Sequence, residues 1–573
     1  MESKDCLGVK PEGSQTAAGR TGRVLFQSDP GRDIFHFSGS IYGRAPGEPL
    51  ENILGRLAAR PALLNEMEAD LALVAYQSAD RRWRLIRDFG QTPLYYAPTP
   101  GGFVWSFDYK ALLDELGGPE PDEATLFDYL ATHYRHIFRD PARTFHRGVF
   151  QVPAGSYVDI DANGPRTHNW LQLEHDPESW ALGPEEATER FMALLERSVK
   201  LRVAQAAKPL FTVSSGLDSS TVASLAARDL GEIDVFSVGY SGPGSEEYDE
   251  TEGVGQLVQG RSWRWTHLLM ERPDLVGETE KLIGATGSPV VTVTWLAYYL
   301  MARQFPGFHH WFNGIGGDEN LAGEFGHFFY FFADLRREGD EERLQSEVAA
   351  WSRLHDHPVF KKNPEVLRRF WERNIDFAKG EIKVDQSLYS GNWRFFEPDW
   401  LDRYREPLPP MPRPFPNFLS NRLWQEISYE TTPPTFWGLF MANQALGLTG
   451  ISPMMSLPLF RLTLSLPGQV KYDQGLTKAL MRRGLKSVLP ESLRLNSKKT
   501  GFNAPIQQWF NEPQVRGPFM ELLREGPLAK SGWLRKGAVE EIYREHQSGQ
   551  ANHMMLLWTL LNASLFLGIS RWR

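Results

Sequence analysis

Between Arg23 and Val158 the apolar residues gather in short runs, at 34–37, 71–76, 83–87, 94–97, 103–107 and 156–160, each bounded by turn-forming residues. Runs of this length and spacing predict strands, so the first part of the chain reads as sheet-rich. A turn at Asn163-Gly164-Pro165 opens a linker that ends at Gly183-Pro184. The period then changes. Ala187, Phe191, Leu194, Leu195 and Val199 recur at helical spacing, with Glu185, Glu186 and Glu189 near the start, where the helix dipole favours acid. A second domain therefore begins here, and the pattern divides the chain into residues 20–175 and 183–572.

Inside the second domain, a strand at 210–213, a small-residue loop at 214–220, a helix at 219–230 and a strand at 233–238 form a βαβ unit. Such a unit implies a parallel sheet with helices on both faces. Past Trp311 the pattern is largely helical, interrupted by the proline-rich stretch 407–416. The apolar run 554–569 contains Asn562 and Ser564 and is too short for a bilayer span, so it reads as a buried terminal helix.

Composition narrows the partners. With 573 residues, 41% of them hydrophobic, each domain can bury its own core. The formal charge of −9 argues against nucleic acid, whose nonspecific grip needs surplus Lys and Arg. The single cysteine, Cys6, forms no intrachain disulfide or multi-thiolate metal site. Residues 1–19 are polar and carry no signal-peptide core, so the expected location is cytoplasmic, with neither nucleic acid nor membrane as partner.

The chemistry centres on Ser214-Ser215-Gly216-Leu217-Asp218-Ser219-Ser220. A strand turning directly into a helix leaves backbone N–H groups converging on one spot, a ready anion site. Ser214, Ser215 and Ser219 add hydroxyl donors, Gly216 permits the turn, and Asp218 makes sense beside phosphate if it holds Mg²⁺. The Gly-Lys-Ser/Thr ending of a Walker A loop is missing, which favours pyrophosphate over a β,γ-phosphate grip. A bare Ser/Gly/Asp turn is ordinarily just a helix cap, so its context decides. That context is Asn313-Gly314-Ile315-Gly316-Gly317-Asp318-Glu319, with a second carboxylate for the metal, and Ser497-Lys498-Lys499-Thr500-Gly501-Phe502, with a cation for developing phosphate charge.

These elements, in this order, resemble the synthetase domain of the class B asparagine synthetase superfamily, with its Ser-Gly-Gly-Leu-Asp-Ser, Gly-x-Gly-Gly/Ala-Asp-Glu and Lys-x-Gly-Phe strings. The resemblance extends to Ser237-Val238-Gly239, Tyr248-Asp249-Glu250 and Lys478-Ala479-Leu480-Met481-Arg482. It implies an α/β ATP-pyrophosphatase (adenine nucleotide alpha hydrolase-like) synthetase domain that uses ATP and Mg²⁺. By the same resemblance Val213, Val238, Asn313 and Gly314 surround adenosine, and Ser214, Gly216, Asp218 and Ser219 hold pyrophosphate, with Ser215 in place of the family's first loop glycine. Asp218 and Asp318 bind Mg²⁺, and Lys499 stabilises the adenylating transition state.

The first half is similar to the family's glutaminase domain, an α+β Ntn-hydrolase-like sandwich, in degenerate form. Arg87-Asp88-Phe89-Gly90-Gln91-Thr92-Pro93-Leu94-Tyr95-Tyr96 looks like the family's Arg-Asp-Arg-Phe-Gly-x-Lys-Pro-Leu-Tyr-Tyr less one residue, and Val152-Pro153-Ala154-Gly155 also fits. Position two is Glu2 rather than the nucleophilic cysteine, and Cys6 reads as incidental. The family's Asn-Gly-Glu-Ile-Tyr-Asn stands as Ser38-Gly39-Ser40-Ile41-Tyr42-Gly43, and its Arg-Gly-Pro-Asp string is missing. Glutamine hydrolysis is therefore not expected.

The expected function is an ATP-dependent amide-bond-forming ligase. It adenylates a carboxylate, on a small molecule or a peptide precursor, for attack by an amine with release of AMP and pyrophosphate. A synthetase domain without a working glutaminase resembles the β-lactam and carbapenam synthetases and the lasso-peptide macrolactam cyclases, which implies intramolecular lactam or macrolactam formation and, for the latter, a pathway protease or carrier. The alternatives are a glutamine-hydrolysing asparagine synthetase and a noncatalytic ATP-binding scaffold. Ile315 fills the slot where asparagine synthetases carry Glu, which leaves Glu319, Glu324 and His327 as candidate bases by proximity in sequence. The aromatic run at 328–332 and the segment 393–400 read as core in preference to an acceptor pocket. His309-His310, His355 and His357 lack ligand partners at metal spacing and are assigned no zinc.

Overall fold

The computed structural model describes residues 21–570 except 26–30, 44–46, 133–135, 243–244, 356–363, 384–389, 407–411 and 498–503. In the first half, two antiparallel sheets lie face to face. One runs Thr21–Leu25, Gly102–Ser106, Tyr95–Thr99, Phe150–Gln151; the other runs Ile34–Ile41, Ala69–Gln77, Arg82–Arg87, Ser156–Asp161, Gly164–Asn169. Strand Ala69–Gln77 explains why the strands read as continuous apolar runs. Ala72, Val74 and Tyr76 pack between the sheets, while Leu71, Leu73 and Ala75 pack outward under Ile53, Leu54 and Leu57 of helix Leu50–Ala59. With both faces covered, no polar alternation is required. On the other sheet, helix Tyr109–Glu115 covers the outer face, started by Asp108, whose carboxylate accepts from the Ala111 N–H at 2.9 Å.

One expectation changes here. Residues 164–169 are not linker but strand Gly164–Asn169, paired with Ser156–Asp161 through the Asn163-Gly164 turn. It is an edge strand whose side chains are nearly all exposed, so it carries no apolar signature.

The second half opens with helix Pro184–Val203, proline sitting at a first-turn position where its missing N–H costs nothing. Five parallel strands follow in the spatial order Trp263–Met270, Ile233–Tyr240, Pro209–Thr212, His310–Phe312, Thr449–Ile451. The first strand in sequence thus lies between the second and the fourth. That reversal makes a crevice at the carboxyl ends of Pro209–Thr212 and His310–Phe312, where open α/β sheets place their ligands.

Beyond the sheet the chain is mostly helical. Phe328, Phe329, Phe331 and Phe332 in helix His327–Glu338 are fully buried, and Trp400 is buried in a stack against Trp533. Both aromatic segments are therefore core. His355 reaches the Gly475 carbonyl, and the described residues contain no group of three His, Cys, Asp or Glu arranged for a metal. Helix Met554–Ile569 is buried from Leu556 to Leu567, and no helix among the described residues is long and apolar enough to cross a membrane.

Each half keeps a core of its own, and the largest core is shared by both. Tyr95, Tyr109, Phe138 and Phe145 of the first half surround Trp437 of the second, with ring centroids 5.7, 5.0, 5.1 and 6.0 Å away.

Candidate functional site

Strand Pro209–Thr212 is too short to extend past the sheet edge, and the chain turns at once into helix Leu217–Leu230, two residues earlier than the sequence predicts. Asp218 consequently sits in the first helical turn. The turn is tied internally. Ser219 Oγ lies 2.7 Å from Ser214 Oγ and accepts from the Ser214 N–H at 3.1 Å, while Ser214 Oγ accepts from the Gly216 N–H at 3.1 Å. Ser220 Oγ closes it by donating to the Ser214 carbonyl at 2.8 Å. Ser215 Oγ donates to Glu250 at 2.7 Å. Its side chain has room because position 253 is glycine: a Cβ there would lie 2.6 Å from Ser215 Cβ.

The second loop leaves strand His310–Phe312. Asn313 Oδ1 accepts from the Ile315 N–H at 3.0 Å, and Gly316, at φ +104°, takes the left-handed turn that starts helix Gly317–Leu321. The two loops touch through backbone. A Cβ on Gly314 would lie 2.6 Å from the Ser219 nitrogen, which is why glycine stands there. Val213 is buried at the end of its strand, hydrogen-bonded to the Phe236 carbonyl, and Val238 lies near the end of the neighbouring strand.

Lys478, which the sequence analysis assigned no role, is at the centre. Its ammonium nitrogen lies 2.5 Å from Asp218 Oδ2 and 2.6 Å from Asp318 Oδ1, and only 7% of the residue is exposed. It reaches there from a left-handed conformation, φ +59°, at the start of helix Ala479–Gly484. Arg482 on that helix donates to the carbonyls of Thr477, Arg494 and Asn496 at 2.7, 2.5 and 3.0 Å, and burial lowers its pKa to about 10. This clasp holds the base of the segment that carries Lys499; Lys499 itself lies outside the described residues.

The structure thus brings Ser214, Ser215, Gly216, Asp218 and Ser219 against Asn313, Gly314 and Asp318. Two carboxylates and a lysine at the crevice can balance one another or take up a cation and phosphate oxygens. The donor set fits Mg²⁺, an ion commonly held by one or two carboxylates together with substrate phosphates in place of a complete protein cage.

The three candidate bases have structural partners. Glu319 Oε2 accepts from the Gly316 N–H at 3.0 Å. Glu324 is exposed, and its N–H donates to His327 Nδ1 at 3.2 Å. His327 is 1% exposed, with Nε2 2.7 Å from Glu426, which Arg422 holds at 2.7 Å. Ile315 is partly buried.

At the seam between the halves, Arg202 of helix Pro184–Val203 is 1% exposed. It binds both carboxylate oxygens of Asp70 at 2.9 Å and Glu68 at 2.8 Å, with its guanidinium 4.7 Å over the Tyr42 ring. Tyr42 donates to Asp70 at 2.8 Å, and burial raises its pKa. Asp88 nearby is spent on the N–H groups of Leu71, Gly90 and Thr92 and on the Thr92 hydroxyl, while burial raises its pKa to about 6. The cavity lined by Glu68, Asp70, Asp88 and Arg202 measures about 20 Å³, enough for one water.

Comparison with known proteins adds a family to this geometry. The family model described as asparagine synthase matches residues 190–573, and the one described as glutamine amidotransferase domain matches residues 57–171. A provisionally named glutamine-hydrolyzing asparagine synthetase of Mycobacterium bovis is 24% identical over 550 residues, covering 87% of this chain and 76% of that one. The carboxyethyl-arginine β-lactam-synthase of Streptomyces clavuligerus is 28% identical over 278 residues, covering 43% of this chain and 48% of that one. The glutamine-hydrolyzing asparagine synthetase 1 of Bacillus subtilis is 21% identical over 489 residues, covering 82% and 73%.

Proposed function

The chain belongs to the asparagine synthase family, and from that premise we propose that it couples a substrate carboxylate to an amine on the same substrate without hydrolysing glutamine. Its activity is that of an ATP-dependent carbon–nitrogen ligase, built from an amidotransferase-type sandwich and an α/β synthetase domain. The observation that carries the adenylation is Lys478 between Asp218 and Asp318 at the sheet's switch point.

In this reading ATP is a substrate. A carboxylate oxygen attacks the α-phosphorus, pyrophosphate leaves, and the amine then attacks the activated carbonyl, expelling AMP and giving up a proton. The first turn of helix Leu217–Leu230 and the Ser214 and Ser219 hydroxyls receive the pyrophosphate. Asp218 and Asp318 would hold Mg²⁺, which would offset the phosphate charge. Lys478 supplies a fixed positive charge beside the leaving group, and the resemblance of the 498–502 string gives Lys499 the same role. Such preorganised charge acts where negative charge develops, and together with orientation it supplies most of the catalysis.

Three features support an amine carried by the substrate. One relative is named as a β-lactam synthase. The first half carries Ser38 and Ser40 where the resembled string has Asn and Glu. Where the Arg202, Glu68 and Asp70 cluster crosses the seam between the halves, the cavity beside it has space for about one water. A second reading, glutamine-dependent amidation, is favoured by the named glutamine-hydrolyzing relatives, which align with most of the chain.

The test is product analysis with ATP, Mg²⁺ and candidate amino-carboxylate substrates. AMP and pyrophosphate are expected, with Asp218→Ala, Asp318→Ala and Lys478→Ala each lowering turnover about 100-fold or more. ADP formation would overturn adenylation, and glutamate released from glutamine in step with product would establish the second reading.

A further inference from the structure

Gln91 belongs to the first half, yet its side chain reaches Ser452 of the second, beside the Asn313 turn. Its Nε2 donates to Asp70 Oδ1 at 2.9 Å, and its Oε1 accepts from the Ser452 N–H at 3.1 Å. Ser452 in turn donates its hydroxyl to Asn313 Oδ1 at 2.9 Å, the same oxygen that accepts from the Ile315 N–H at 3.0 Å. Four residues thus form one unbroken polar chain from Asp70 to the turn that carries Gly314.

Both ends of the chain are firmly held. Asp70 receives two bonds from Arg202 at 2.9 Å and one from Tyr42 at 2.8 Å, so Gln91 hangs from a fixed carboxylate. At the other end, Phe312 and Ile451 are register partners in the parallel sheet, and Ser452 stands level with Asn313 one step beyond. The strands stop there, and only the Asn313 N–H to Ile451 carbonyl bond, at 3.0 Å, continues their pairing. The Asn313 carboxamide is held by the Ile315 N–H within its own turn and by the Ser452 hydroxyl from the neighbouring strand, and the Ser452 N–H is held by Gln91 of the first half. Ser452 is fully buried, so water cannot take over the lost bond cheaply.

We infer that the amidotransferase-like half serves the synthetase half as a template, with Gln91 as a positioning residue that fixes Asn313 and the Gly314 turn for ATP through Ser452. This gives that half a role in ligation that needs no glutamine chemistry. It rests on the reading of the Asn313–Gly314 turn as part of the ATP site. The lever is short. Gly314 is in backbone contact with Ser219, so a shift of the turn moves one wall of the pyrophosphate loop as well.

A merely structural role and a positioning role separate in ATP affinity. Binding of ATP in magnesium chloride to the full chain is measured by isothermal titration calorimetry, alongside thermal melting. Gln91→Leu, which keeps the bulk and removes the bonds, is expected to weaken ATP about five-fold, the worth of roughly one buried hydrogen bond. Ser452→Ala, which loses only a hydroxyl and stands in should Gln91→Leu not fold, is expected to do the same. The double variant is expected to be no weaker than either single, because both cut one chain. The control is Ser456→Ala, which removes a different bond across the seam, Ser456 Oγ to Glu68 at 2.9 Å. It is expected to lower the melting temperature while ATP affinity stays within about twofold. Equal ATP affinity in Gln91→Leu, Ser452→Ala and the unaltered chain overturns the template role. Failure of the unaltered chain to bind ATP overturns the ATP-site reading and the inference with it.

Discussion

Lys471 is completely buried, and its ammonium has no hydrogen-bond partner among the described residues. Burial lowers its pKa from 10.5 to about 7, against the pull of the Asp334 carboxylate, which burial in turn raises to about 7. The sign for the lysine follows. An unfolded lysine keeps its proton up to its ordinary pKa, so between the two values the unfolded chain binds more protons and stability rises with pH. The cost of burying the amine is full at and below neutrality and fades in alkali. Lys471→Met, similar in shape and without the charge, is expected to raise the melting temperature at pH 7 by a few degrees, the gain shrinking toward about pH 10. A gain that stays constant across that range would locate the effect in packing instead of charge. The other buried lysine had the reverse history. The string Lys478-Ala479-Leu480-Met481-Arg482 was visible in the sequence, but the position of its ammonium depends on a left-handed backbone that no propensity assigns to lysine. Its place between Asp218 and Asp318 became legible only in three dimensions.

At the scale of elements, strands were legible where both faces are buried and illegible where neither is. Ala69–Gln77 announces itself because helix Leu50–Ala59 covers one side and the second sheet the other, whereas Gly164–Asn169 is held by one ladder of backbone bonds and shows Pro165 and a run of polar residues to water. The two loops at the crevice fall between these cases. Their glycines were legible as flexibility, but what they do is admit a neighbour. At Gly314 the neighbour is backbone, which cannot swing aside, so Gly314→Ala is expected to push the turn away from Ser219. The expected result is a loss of ATP-dependent pyrophosphate release of about 100-fold, with the melting temperature falling by only a few degrees. Substitution at Gly326, where an added Cβ would meet nothing within 4 Å, provides the comparison and is expected to leave turnover within about twofold. Unchanged turnover in Gly314→Ala would mean that the two loops do not act as one surface.

For the molecule as a whole, the division near residue 180 is clear in the sequence, because the hydrophobic period changes there, but a change of period says nothing about what the two halves share. The structure shows that they share a core. Trp437 is enclosed by Tyr95, Tyr109, Phe138 and Phe145, and the Val290 carbonyl accepts both from Tyr129 of the first half and from Trp558 of the terminal helix. Removing the first half would expose these faces and leave Arg202 without Asp70 and Glu68. Two bodies joined only by a linker and a polar seam would melt separately, whereas two that complete one apolar core must melt together. The full chain is therefore expected to give one calorimetric transition, and residues 183–573 expressed alone are expected to aggregate. Trp437→Ala, at a cost of about 3–5 kcal/mol, is expected to lower that one transition without splitting it. Two transitions in the unaltered chain, or a well-folded second half on its own, would show that the shared core contributes little to either side. A single transition would show that the fold of the synthetase half depends on the first half.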